Sequence, residues 1–302
     1  MEKIKITIVG FGNIGRCILQ HLLVEPKHPL CINIIDLDTT LSGSFLDFSH
    51  SNSLLNKHQL IWNDNVCFQN SHFIFHCAGP SVPQNATRLA ITQESKAITT
   101  SIFKNFKSRV NPFIIVISNP VDVISNLTSH LTGLDPCRVI GTGTLLDTIR
   151  MKYYLRQVFP TQKVTTQLLG EHGDSIVFMA SKTFIDGIAI EEMLDANTIH
   201  QCVEKTKTSP TLIKATQGAT FYAVSNCAVS IFNQLITPTA SILPLSVLIP
   251  TQFQQLFKSA PLYMSLPVRI TKNGARVEEA FECSDKELME LRKSAKIICN
   301  YL

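Results

Sequence analysis

Ile4–Val24 reads IKITIVGFGNIGRCILQHLLV. Its first six residues are an apolar, β-branched run, which predicts a strand over Ile4–Val9. From Ile14 to Val24 the apolar residues return at helical spacing. Between the two lie Gly10, Phe11, Gly12, Asn13, Ile14 and Gly15, in the order G-x-G-x-x-G. The spacing alone is a weak signal, but a strand before it and a helix after it give each glycine a task. One makes a tight turn, one lets backbone approach a pyrophosphate, and one packs helix against strand, with the phosphate charge meeting the helix N-terminus. The next apolar run, Ile32–Ile35, is closed by Asp36, where a carboxylate can bind the adenine ribose hydroxyls and repel the extra phosphate of NADP. The expectation is an NAD site built from Gly10, Gly12, Asn13, Ile14, Gly15 and Asp36, with Asp38 close enough to share the acid's role.

Further apolar runs follow at Phe73–Cys77, Phe113–Ile117 and Val139–Ile140, separated by helical stretches such as Thr99–Phe106. Near-continuous apolar strands alternating with helices predict an α/β fold, a doubly wound parallel (Rossmann) sheet covered on both faces. The second half reads differently. Helical stretches at Thr148–Phe159, Ala215–Leu235 and Asp285–Leu302 flank strand-like pieces at Ile176–Met179 and Leu266–Thr271, with a turn at Lys272-Asn273-Gly274. This predicts a second, mixed α+β domain. The expected division is a dinucleotide-binding domain over residues 1–145 and a catalytic, substrate-binding domain over 146–302.

Composition narrows the function. A net charge of +4, with no dense basic cluster and no interleaved aromatics, excludes the electrostatic footprint of a nucleic-acid binder. The apolar N-terminal run is too short to span a membrane and reads as structure. Nine cysteines at irregular spacing, without a Cys-x-x-Cys pair, argue against a disulfide framework and a zinc cluster; no metal is expected. The Asn-x-Thr triplets at Asn85 and Asn126 stand without other signs of secretion, so a reducing cytoplasm is expected.

Chemistry enters at LLGEHGDS, Leu168–Ser175, where His172 sits in a glycine-flanked turn beside Glu171 and Asp174. An isolated histidine of this kind is usually an ordinary loop residue. Interconverting a 2-oxo acid and a 2-hydroxy acid, however, asks for an imidazole to trade a proton near neutrality and a carboxylate to orient it. It also asks for an arginine to clamp the substrate carboxylate with paired hydrogen bonds, and for a second cation on a closing loop to polarise the carbonyl.

GFGNIG, AGPSVPQNATR, SNPVDVI, GTGTLLDTIR, GEHGDS and QGATFYA occur in that order over almost the whole chain, and together they resemble the lactate/malate dehydrogenase family, the L-2-hydroxy-acid dehydrogenases. VISNPVDVI through GTGTLLDTIR is most similar to its L-2-hydroxyisocaproate branch. The resemblance implies that His172 is the proton donor and acceptor, Asp147 its orienting partner, and Arg88 the carbonyl-polarising residue of a mobile loop. It makes Arg150 the substrate clamp, places Asn119 near the reacting carbon on both cofactor and substrate, and sets Thr220 in the substrate pocket. It further implies Asp147 rather than Glu171 or Asp174 as the working carboxylate, with Gly170 and Gly173 presenting His172 to the cofactor.

The family reads the far end of its substrate six residues before the mobile arginine, and that position is Val82 here. Valine offers no cation to a second carboxylate, so an aliphatic 2-oxo acid, 2-oxoisocaproate or pyruvate, is the expected substrate, with malate dehydrogenase as the alternative. A different loop register would shift this role to Ser81 or Gln84. Lys152 and Thr165 stand where allosteric relatives carry arginine and histidine, so activation by a sugar bisphosphate is not expected. The family associates through the helix near Leu41, here bearing Asp47 and His50, which implies a homodimer or homotetramer. The reading from another class is a retired enzyme kept as an NAD-binding sensor or scaffold.

Overall fold

The computed structural model describes residues 3–24, 28–80 and 88–302. Strand β1 (Ile4–Val9) runs into helix α1 (Asn13–Val24), followed by β2 (Leu30–Ile35), α2 (Ser42–Leu55), β3 (Gln59–Trp62) and α3 (Asn65–Gln69). Next come β4 (Phe73–His76), α4 (Thr92–Phe103), β5 (Phe113–Val116), α5 (Val121–Thr132), β6 (Val139–Gly141) and α6 (Leu145–Val158). These six strands are parallel and lie in the order β3-β2-β1-β4-β5-β6, a doubly wound sheet whose strand order reverses between β1 and β4.

Strand periodicity explains the layering. Ile6, Ile8, Phe73, Phe75, Phe113 and Ile115 project to one face, where they join Leu19 of α1 and Phe232 in one core. The alternate residues Val9, Ile74, Ile114 and Val116 project to the other face and pack with Phe103 of α4 and Ile124 of α5. Both faces are covered, which is why these strands are apolar at nearly every position.

The second half begins with the short strands β7 (Val164–Thr165), β8 (Leu168–Leu169), β9 (Val177–Phe178), β10 (Phe184–Ile185) and β11 (Ile188–Ala189), then α7 (Ile190–Met193), α8 (Ala196–Gln217) and α9 (Tyr222–Ile236). It ends with β12 (Ile242–Leu248), α10 (Thr251–Phe257), β13 (Tyr263–Thr271), β14 (Gly274–Val277) and α11 (Asp285–Cys299). Strands β12, β13 and β14 add antiparallel to the large sheet through Ser246 opposite Gly141, while the short strands form two small sheets. The turn expected at Lys272-Asn273-Gly274 joins β13 to β14.

One expectation is corrected. Ala215–Leu235 is not a continuous helix. Gly218, at φ +82°, ends α8, and α9 starts only at Tyr222. Glycine tolerates this backbone where other residues are strained, so the helix stops there and the chain turns.

Candidate active site

The carboxyl ends of the parallel strands carry the glycine loop after β1, Asp36 after β2, Gly79 after β4 and Asn119 after β5. This is the crevice beside a strand-order reversal where doubly wound sheets bind ligands. Gly10 has φ +97°, and a Cβ there would lie 2.6 Å from the Ala78 backbone nitrogen. A Cβ on Gly15 would lie 2.1 Å from the Gly10 carbonyl oxygen, so α1 can pack this closely only with glycine. Gly12 has open space instead, on the side where phosphate would approach.

Asp36 is fixed against this loop. Its Oδ2 accepts the Phe11 N–H at 2.5 Å and its Oδ1 the Asp38 N–H at 2.9 Å, and Asn63 grips its backbone from both sides. Asp38 caps the turn Thr39–Leu41, accepting the N–H and O–H of Thr40. The two acids are thus separated by geometry, with Asp36 on the glycine loop and Asp38 committed to a turn.

A cavity of about 200 Å³ continues from this loop and is lined by Gly12, Asn13, Ile14, Asn119, Lys214 and Thr220. Asn119 contributes a buried Oδ1 that has no hydrogen-bond partner among the described residues. A buried amide oxygen without a donor is costly, and a ligand donor in the cleft would relieve it. Open space at Gly12, the anchored acid and this oxygen fit a dinucleotide. Thr220 reaches the cavity because the chain breaks between α8 and α9, and α8 places Lys214 in its wall.

The second group lies on α6 and the loop between β8 and β9. Asp147 and Arg150, in the first two turns of α6, are both buried, so they are not a surface pair; Arg150 Nη1 donates to Asp147 Oδ1 at 2.9 Å. The other Asp147 oxygen, Oδ2, lies 2.6 Å from His172 Nδ1. The loop carrying His172 is held from several sides. Thr144 Oγ1 donates to the Leu168 carbonyl, the Leu168 N–H reaches Thr148 Oγ1, Gly170 bridges Ser265 of β13, and Ser294 of α11 accepts the Glu171 N–H.

Of the three carboxylates offered by sequence, Asp147 meets the imidazole. Glu171 turns away to accept the N–H and O–H of Ser175, and Asp174 is exposed. A Cβ on Gly173 would lie 2.3 Å from Glu171 Oε1, so a larger residue there would displace the Glu171 carboxylate from its place beside Ser175. Val82 lies outside the described residues, and for Arg88 only the backbone is described, at the start of the turn Arg88–Ile91.

Two participants were not singled out in the sequence. Asp122, in the first turn of α5 and 3 % exposed, accepts the His172 backbone N–H at 2.9 Å and the Ser246 hydroxyl at 2.6 Å. Burial pushes its carboxyl up to about 7; the bonds from Ser246 and His172 oppose the rise, while Glu171 and Asp147 add to it. Lys214, in the last turn of α8, is the other, lining the cavity beside the glycine loop. Nothing in a lone lysine at helical spacing signals a cleft.

Comparison with known proteins gives the same direction. Residues 4–141 match the NAD-binding domain of lactate/malate dehydrogenase, and residues 144–301 match its alpha/beta C-terminal domain. An L-lactate dehydrogenase of Borrelia hermsii is 28% identical over 323 residues, covering 100% of this chain and 98% of its own. The solved structure of a lactate dehydrogenase from a Medee basin deep-sea metagenome library superposes with TM-score 0.88 at 25% identity, covering 100% of this chain and 98% of the other. Cryptosporidium parvum malate dehydrogenase also superposes with TM-score 0.88 at 25% identity, over 99% of this chain and 98% of its own. With both halves matched in order around an NAD cleft, the chain belongs to the lactate/malate dehydrogenase family of oxidoreductases.

Proposed function

We propose that the protein is an NAD-dependent L-2-hydroxy-acid dehydrogenase that interconverts a small aliphatic 2-oxo acid, pyruvate or a 2-oxoisocaproate-like acid, with its hydroxy acid. The observation that carries this reading is the relay of buried Arg150 and Asp147 with the partly buried His172, joined at 2.9 and 2.6 Å. The cofactor supplies hydride chemistry at its nicotinamide ring when bound. Gly10, Gly12, Asn13, Ile14, Gly15 and Asp36 would hold its adenosine and phosphate portions, and Asn119 its nicotinamide end.

The residues then divide the remaining work. His172 gives a proton to the carbonyl oxygen in reduction and takes it back in oxidation. Asp147 holds Nδ1, leaving Nε2 as the ring atom facing the substrate, and it stabilises the imidazolium. Arg150 presents its guanidinium to the substrate carboxylate, with Asp147 fixing the orientation of that plane. By the family resemblance, Arg88 takes the carbonyl-polarising role, Thr220 bounds the pocket, and Val82 takes the role of reading the substrate's far end.

The test follows NADH absorbance with pyruvate, 2-oxoisocaproate, phenylpyruvate and oxaloacetate, reported as ratios of kcat/KM. An apolar 2-oxo acid is expected to lead. A preference for oxaloacetate would replace this reading by malate dehydrogenase, to which the Cryptosporidium likeness gives independent support. Silence on all four would favour a sensor.

We further infer a homodimer or homotetramer. Leu46 and Leu54 of α2 are 56% and 89% exposed, and an apolar cavity of about 380 Å³ beside Arg150 is lined by Ile149, Tyr153, Ile213 and Tyr222. The exposed leucines lie on the helix through which the resemblance implies association, where a second copy would cover them. Light scattering on the purified chain measures the mass.

A further inference from the structure

His172 is held at two places, and the second has no assigned role. Its ring meets Asp147 of α6, while its backbone N–H, 2.9 Å away, meets Asp122 of α5. The other Asp122 oxygen accepts the Ser246 hydroxyl of β12. One carboxylate thus ties three chain segments far apart in sequence: the helix after β5, the His172 loop, and the strand that extends the sheet.

A neutral acceptor could make these two bonds at less cost. Asp122 is 3 % exposed and shares its surroundings with Glu171 and Asp147, 5% and 7% exposed; burial beside these carboxyls pushes its own up to about 7, so it carries its charge chiefly above neutrality. The charged groups around it are Asp147 of α6, itself paired with Arg150, and Glu171 and His172 of the loop; β12 contributes the hydroxyl of Ser246. Isolated buried charge is unfavourable and is retained where a nearby cation benefits from it. Asp122 holds the backbone of the residue whose ring becomes an imidazolium, so that is the cation its charge can serve.

We propose that Asp122 is a positioning residue for His172, tethering its backbone and, through its negative charge, favouring the protonated imidazole that reduction consumes. This rests on the dehydrogenase reading for its kinetic consequence but not for its physical one. The tether fixes where the ring stands relative to Asp147. The charge determines the pH range over which His172 carries a proton.

Asp122→Asn separates these two effects. Its amide oxygen can accept the His172 N–H and its NH₂ can donate to Ser246, so the tether survives and the charge is lost. Ser246→Ala keeps the charge and removes one bond. The ring of His172 is followed by NMR in protein carrying labelled histidine, its signal identified by loss in His172→Gln, alongside kcat/KM against pH and NADH binding by fluorescence. In Asp122→Asn the His172 midpoint should fall by about half a pH unit or more. The alkaline limb of kcat/KM for reduction should move with it, and NADH affinity should stay within about twofold. Ser246→Ala should lower kcat and, because the carboxyl remains, should move the midpoint less than Asp122→Asn does. An unchanged midpoint in folded Asp122→Asn, judged by its circular dichroism, overturns the proposal. If the wild type reduces none of the four acids, the dehydrogenase reading fails, while the NMR midpoint still decides the role of Asp122.

Discussion

Asp147 Oδ2 lies 2.6 Å from His172 Nδ1, joining a buried carboxylate on the first turn of α6 to a partly buried imidazole on the loop, while the other carboxylate oxygen is occupied by Arg150. Asparagine at position 147 could keep the shape of this contact but would offer the imidazole no charge, and its amide could force the wrong tautomer. Asp147→Asn should therefore lower kcat by about a hundredfold to ten-thousandfold, the range for acid-backed histidines and general acid–base catalysis. NADH binding should be unaffected, because Asp147 does not line the glycine-loop cavity. A fluorescence titration and a steady-state assay on one preparation check both halves. Loss of NADH affinity in proportion to kcat would show that Asp147 acts on the fold instead.

Arg150 leads to a different kinetic outcome. Its guanidinium is oriented by Asp147, and the planar fork can give a substrate carboxylate two parallel hydrogen bonds that an ammonium cannot imitate. Arg150→Lys keeps the charge and loses the fork. KM for the 2-oxo acid should rise by about tenfold to a hundredfold with a smaller fall in kcat, as expected when one charge-assisted hydrogen bond of about 1.5–3 kcal/mol is lost. A fall in kcat with KM unchanged would place Arg150 elsewhere in the chemistry.

At the adenosine end, Asp36 both accepts the Phe11 N–H and presents a carboxylate beside the glycine loop. Asp36→Ser removes the charge that would repel a 2′-phosphate and also loosens the loop. NAD should bind more weakly and the NAD-to-NADP ratio of kcat/KM should fall by about tenfold or more. An unchanged ratio would shift discrimination to another group.

How far the sequence shows these features depends on whether they are local. Gly10 to Gly15 and Asp36 are legible because the turn, the close helix approach and the strand end are properties of a short stretch. Asp147 and Arg150 are legible as an i,i+3 pair once the helix is seen. Asp122 looks like any acid in a helix's first turn, where the dipole favours it. Its importance comes from His172, fifty residues later, and Ser246 on another strand. Strand β12, ILPLSVL, is not among the strand-like pieces picked out in the sequence, and Pro244 within it weakens the local strand signal. It is accommodated because Pro244 faces Pro267 on β13 and β12 pairs with β6 at Ser246 alone. The split between α8 and α9 depends on one residue, Gly218, within otherwise helical sequence.

The C-terminal helix is anchored by a capping box. Ser284 accepts the Glu287 N–H, and Glu287 Oε2 accepts the Ser284 N–H at 2.8 Å, while the same carboxylate reaches Ser181 in the second half of the chain. Burial works against the Glu287 charge, but the bonds from Ser181 and Ser284 outweigh it and hold its carboxyl below the ordinary 4.5. Ser284→Ala should cost about 1 kcal/mol, read from urea unfolding. A group with a depressed folded pKa stabilises above its unfolded value and loses that contribution as pH falls through the folded one. The gap in stability between wild type and Glu287→Gln should therefore shrink below about pH 4.5. A gap constant down to strongly acidic pH would mean that the charge contributes nothing.

Asp122 has the opposite sign. Its carboxyl is raised from 3.8 to about 7, so the folded protein holds a proton there that the unfolded chain has already released. Stability falls with pH wherever the folded state binds more protons, so this residue makes the wild type progressively less stable between about pH 4 and pH 7 and adds no further slope above that. Asp122→Asn mimics the protonated form throughout. The difference in Tm between variant and wild type should be small near pH 4, should grow in the variant's favour toward pH 7, and should then level off. Groups that do not interact with Asp122 cancel in the difference, so scanning calorimetry of both proteins across this range reads this carboxyl together with the His172 shift that the NMR titration measures separately. Parallel Tm curves would show that Asp122 ionises at its ordinary value, and that hydrogen bonds from His172 and Ser246 fully offset its burial.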